Sequence, residues 1–154
     1  TYKEYIFKFF DIHPSASDPT GITFQGSTDT GSSYGVNITS TYFRTSVDES
    51  GSSADLQYQA SQDLANSTSF QNIGQSTGND NDQSLAGSLH IFNPADTTFV
   101  KHFLARTNNA HQADKTRDVF TAGYLNTTSA IDAVSFKMSS GNIDSGVIKM
   151  YGVS

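Results

Sequence analysis

The chain has 154 residues and a mass of 16.6 kDa, enough for one domain with a substantial core, and it has no cysteine. Disulfides, thiol nucleophiles and thiolate-bound metals are therefore excluded. The net charge of −6, with charged residues at only 16%, argues against a nucleic-acid backbone as partner, and no apolar run is long enough to insert in a membrane.

Serine, threonine, asparagine, glutamine and glycine take the place of surface charge. Their hydroxyl and amide side chains satisfy the backbone locally outside helices, which favours strands and long loops. Thr1 is not a natural first residue, so the segment is expected to be cut from a longer chain. The whole of 1–154 reads as a single β-sandwich domain.

In chain order, Tyr2–Ile12 is a strand of high aromatic density. Tyr5, Phe7 and Phe9 share one face, and Ile6, Phe10 and Ile12 the other. A strand apolar on both faces is central in a sandwich or covered by a second subunit, so Tyr5, Phe7 and Phe9 are candidates for an oligomer interface. His13-Pro14 ends this strand. A turn-rich loop over Ser15–Gly21 leads to a short strand, Ile22–Gly26, and a glycine-containing turn over Asp29–Ser33.

Tyr34–Arg44 alternates, with Val36, Ile38 and Tyr42 to one side and Asn37, Thr39, Thr41 and Phe43 to the other. Asp55–Ala60 is a strand with Leu56 and Tyr58 inward, and Asp63–Asn66 fits a single helical turn. Ser84–Asn93 is a strand in which Gly87 permits close backbone approach. Phe99–Arg106 follows, then a polar excursion, Thr107–Arg117, with a brief helix over Asn109–Lys115. After Val119–Leu125, two alternating runs, Ala130–Met138 and Val147–Val153, flank the turn at Gly141-Asn142 and predict a closing hairpin. About eight or nine strands without a long helix make an all-β antiparallel sandwich.

The chemistry-bearing residues form no familiar constellation. Asp80 and Asp82 alternate as calcium ligands do, but the central glycine and distal glutamate of the helix–loop–helix site are missing, and the segment reads as a solvated turn. His90 and His102 fall on neighbouring strands, while His13 and His111 sit at loop edges. Nothing brings the three or four ligands of a zinc site together, although copies of His90 or His102 around a symmetry axis would bind an ion or sense pH. Asp48, Glu49 and Asp55 offer carboxylates for glycosidic cleavage, but sequence cannot fix their separation. No nucleophile elbow, zinc-protease motif or phosphate loop is present. No enzyme activity, cofactor or metal is expected. Tyr42, Phe43 and Phe70 lie near polar loops, where they would stack on sugar rings or occupy an oligomer interface.

Gly123-Tyr124, the run Ser129-Ala130-Ile131-Asp132-Ala133-Val134-Ser135-Phe136-Lys137-Met138-Ser139-Ser140-Gly141-Asn142-Ile143, and Gly146 with Ile148-Lys149-Met150-Tyr151-Gly152-Val153 resemble the closing strands of tailed-bacteriophage virion structural domains. The opening Tyr5–Phe10, Asp11-Ile12-His13-Pro14 and Gly31-Ser32-Ser33-Tyr34 are similar to the same group, which includes capsid-decorating proteins, head fibres and tail-fibre tips. The resemblance implies a jelly-roll-like sandwich, commonly a trimer, attached to capsid or tail proteins in the virion. A symmetric trimer interface would cover the second apolar face of the first strand. The expected function is thus a non-enzymatic capsid decoration or appendage domain. The alternatives are a tail-fibre tip that recognises host surface carbohydrate, and a secreted carbohydrate-binding module.

Overall fold

The computed structural model describes residues 2–16 and 20–154, so Thr1 and the middle of the Ser15–Gly21 loop, Ser17–Pro19, lie outside it. The described residues form ten strands and no helix: β1 (Glu4–Pro14), β2 (Ile22–Ser27), β3 (Ile38–Asp48), β4 (Ala54–Tyr58), β5 (Gln71–Asn72), β6 (Leu85–Phe92), β7 (Lys101–His111), β8 (Lys115–Leu125), β9 (Ala133–Met138) and β10 (Ile143–Val153). They divide unequally. A seven-stranded antiparallel sheet has the order β10-β1-β6-β7-β8-β3-β4, and a three-stranded sheet, β5-β2-β9, lies across part of one face. The all-β antiparallel sandwich read from the sequence is the fold that the chain adopts.

Period-two alternation puts one apolar set from each strand between the sheets. Phe9, Ile12, Leu85, Leu89, Ile91, Phe103 and Leu125 meet Ile22, Phe24, Ile73, Ile131 and Met138 in a single buried cluster. Phe103 stands edge-on to Phe24 at 4.9 Å between ring centroids, and Phe136 is edge-on to both Phe7 and Phe9. Gly26 permits this closure, because a Cβ there would lie 2.5 Å from a methyl of Leu125. Gly87 lets β6 lie against β7 in the way its position suggested, with an added Cβ falling 2.3 Å from the Arg106 carbonyl oxygen.

Past the edge of the small sheet, the inner face of β7, β8 and β3 becomes polar and is covered by loop rather than strand. The Thr107 hydroxyl donates to the Ile73 carbonyl, the Asn109 amide to that of Ser76, and Arg117 to that of Gln75. The outer face of the small sheet is covered in the same manner. Gln25 is fully buried, and its amide donates to the carbonyls of Val36, Thr68 and Ser69, tying down two loops at once. A buried amide is tolerated here because each of its polar atoms has a partner.

Several local expectations change. The final two runs are not a hairpin: β9 pairs with β2 in the small sheet and β10 with β1 in the large one. The Thr107–Arg117 excursion is strand and tight turn, with β7 and β8 paired to His111↔Lys115. Neither that segment nor Asp63–Asn66 is helical. Ile12 faces the core with Phe9 rather than sharing a face with Phe10, because Asp11 adopts φ 51 and the pairing register of β1 shifts beside it. That extra residue is a bulge, which reverses the alternation of side chains. Leu56 and Tyr58 point outward and are exposed.

Candidate binding face

The three-stranded sheet covers one side of the large sheet, and no strand of the described residues covers the opposite side. Strand register assembles that outer face row by row. One row runs Lys149, Lys8, Ser88, Arg106, Phe120, Phe43 and Tyr58 across all seven strands, and the next runs Tyr151, Ile6, His90, Leu104, Ala122 and Thr41. Phe43 and Phe120 stack with centroids 4.8 Å apart and planes 5° from parallel. The Arg106 guanidinium lies 4.9 Å from the Phe120 centroid and is held by Asp118 at 2.8 Å. Asp118 also holds Arg106 above its ordinary pKa, by hydrogen bonding and by charge.

Between the two rows runs a shallow trough of about 450 Å³, lined by Phe43, Phe120, Leu104, Ala122, His90 and Arg106 among others. Small Ala122 and Ser88 lower its floor, while the aromatic ladder raises one wall. His90 meets Glu4 at 2.6 Å beside it. Since Phe120 is flanked by Phe43 on one side and Arg106 on the other, its faces are already in contact. A ligand in the trough meets ring edges and the side chain of Leu104.

A second exposed apolar surface lies at the β10 edge of the large sheet. Among the described residues β10 neighbours only β1, and Val147, Met150, Tyr151 and Val153 are all exposed. Beside it, where the small sheet stops short, a cleft of about 510 Å³ opens between the layers, lined by Tyr5, Phe7, Ile91, Pro94, Val134 and Met150 among others.

The residues singled out from sequence separate cleanly. Phe43 belongs to the outer-face ladder. Tyr42, next to it, is 0% exposed and cannot meet a ligand or a partner; burial raises its phenol pKa well above the ordinary value. Phe70 is half-buried on the small-sheet side, with Lys137 4.0 Å over its ring, so it does not join Phe43. Tyr5 and Phe7 line the accessible cleft, whereas Phe9, 1% exposed, belongs to the core and is unavailable as an interface residue. Phe120, Arg106, Leu104 and Met150 were not singled out. Their alternation shows which face they occupy, but only the strand order shows what lies beside them.

Asp80 and Asp82 are exposed in a turn closed by the Gln83 amide donating to the Asp80 carbonyl. No group of three or more His, Asp or Glu among the described residues is arranged to hold a metal ion. His90 lies opposite Leu104 and His102 opposite Tyr124, so the two imidazoles occupy adjacent rows of the outer face rather than one pair. His13 turns to Asp144 at 3.6 Å. Asp48 accepts from Ser50 and Ser52 within its own turn, and Asp55 is bound by Ser46 and by Arg44, the hydroxyl first and then the guanidinium lowering its pKa. Asp48 is thus held within its own turn, and Asp55 by two side chains of β3.

No family model matches the chain, nor does any curated protein or any solved structure.

Proposed function

We propose that the chain is a non-enzymatic structural domain of a tailed-phage virion, a decoration or appendage domain that works by self-association and by attachment to capsid or tail proteins. The observation that carries this reading is the uneven sandwich: among the described residues, seven strands present an outer face on which exposed Phe10, Phe43, Leu104 and Tyr151 alternate with charged side chains, and an edge that the three strands do not cover. Large exposed apolar surface marks a place of association. The resemblance of both chain ends to virion structural domains supplies the class of assembly. Phe9 lies in the core, so the basis for a three-fold interface shrinks to Tyr5 and Phe7 at the cleft, and the self-association proposed here carries no fixed symmetry.

Immunogold labelling of intact particles tests this, using an antibody to the folded domain. Gold on capsid or tail is the expected result, and particles that carry the chain's gene yet stay unlabelled overturn it. A second reading, glycan recognition by a fibre tip or a secreted carbohydrate-binding module, is favoured by exposed Phe43 and Tyr58, register partners on β3 and β4. It predicts glycan-array binding that Phe43→Ala abolishes.

A further inference from the structure

We propose that β10 is a homotypic pairing edge: β10 of one copy adds antiparallel to β10 of a second copy about a two-fold axis at Met150. This inference deepens the assembly reading above and rests on it for its purpose, while its geometry stands on the edge itself.

An edge strand leaves alternate backbone amides and carbonyls without a ladder partner, and proteins normally blunt such edges with short strands, charges or proline. The two edges of the large sheet differ in this respect. β4 has five residues, and its Asp55 and Gln57 are tied to Arg44. β10 has eleven, without proline, and between Gly146 and Val153 its only charged residue is Lys149. Its pairing with β1 is regular from Val147 to Val153, with the register shifts confined to the far end beyond Phe10. Over that regular run Met150 is 61% exposed on the inner face, and Val147, Tyr151 and Val153 are exposed on the outer face.

Self-pairing has few possible registers, since opposed residues must share a face. With the axis at Met150, Lys149 lies opposite the partner's Tyr151, Ile148 opposite the partner's Gly152, and Val147 opposite the partner's Val153. The whole regular run is used and no like charges are directly opposed, while Lys149 keeps its place over Phe10, and Tyr151 its place under Lys8, on β1. Moving the axis to Lys149 sets two ammonium groups against each other. Moving it to Ile148 sets Tyr151 opposite the partner's Ser145, and moving it to Tyr151 sets Lys149 opposite the partner's Val153. On the inner face the axis sits beside the cleft of about 510 Å³ that Met150 lines with Tyr5 and Phe7, so the second copy extends cover over its mouth. An isologous two-fold contact of this kind closes on itself and makes dimers rather than open fibres.

The test is sedimentation equilibrium of the purified chain across a concentration series, with three edge variants and one control. The wild type is expected at twice 16.6 kDa. Tyr151→Lys opposes two lysine pairs across the axis and should weaken the dimer about tenfold, whereas Tyr151→Glu, facing Lys149, should hold it or tighten it. Met150→Lys should give folded monomer, judged by circular dichroism. Leu56→Lys, on the opposite edge where the residue is 70% exposed, should leave the dimer intact. A wild-type monomer or trimer overturns the proposal, as do equal effects of the two Tyr151 variants. If Met150→Lys fails to fold, the Tyr151 pair still decides. A dimer that follows these variants but labels no particle sinks the virion reading and leaves the pairing edge standing.

Discussion

Phe43 and Phe120 lie directly opposite each other on β3 and β8, and their rings are stacked within 5° of parallel, with Arg106 closing the other side of Phe120. A cross-strand aromatic pair contributes about 0.5–1.5 kcal/mol beyond its burial. A double-mutant cycle with Phe43→Ala and Phe120→Ala, read by denaturant unfolding, should return a coupling in that range. A coupling near zero would mean that the rings are only neighbours in solution.

Phe24 and Phe99 make the contrast between core and surface. Phe24 is 0% exposed and edge-on to Phe103, while Phe99 is 69% exposed ahead of β7. Phe24→Ala should cost about 3–5 kcal/mol, and Phe99→Ala should stay within about 0.5 kcal/mol of wild type. Chemical denaturation with a shared slope measures both.

The bulge in β1 predicts an inversion of ordinary strand preference. Valine normally favours a strand, but Asp11 sits at φ 51, where a β-branched side chain meets its own backbone. Asp11→Val should therefore destabilise by about 1–2 kcal/mol. A stabilising effect would show a regular strand at this position.

Acid should weaken the fold through carboxylates that cap loops. The Ser27 hydroxyl, together with Ser33, holds Asp29 down to about 2 from an ordinary 3.8. Asp48 is lowered chiefly by Ser52, Asp55 by Ser46 and Asp96 by the Phe99 amide. A lowered folded pKa means that the unfolded chain takes up protons first. The contribution of Asp29 is thus complete above 3.8 and is lost as pH falls toward about 2. Thermal midpoints should hold toward neutrality and drop through that interval. Asp29→Ala should start lower at neutral pH and lose less across it.

Alternation was enough to identify most strands and many of their faces, as with Val134, Phe136 and Met138, because burial on one side imposes period two. It was silent on partnership. The short turn at Gly141-Asn142 looked like a hairpin, yet β9 and β10 go to different sheets. Polar inward residues hid other elements: Thr107, Asn109 and Arg117 face a loop whose carbonyls they satisfy, so the ends of β7 and β8 read as surface. The strand holding Gln25 was legible, but the burial of that amide under two loops was not. In the candidate site Phe43 was legible as an exposed aromatic, but its ladder was not, since Arg106, Phe120 and Phe43 come from three strands joined only by register.

The pairing of Glu4 with Val153 brings the first and last strands side by side at the same end of the large sheet. Tension applied through both ends would therefore open β1 from β10 like a zipper, loading one pair of residues at a time, instead of shearing the whole ladder together. A domain wired in this way resists little force between its own ends.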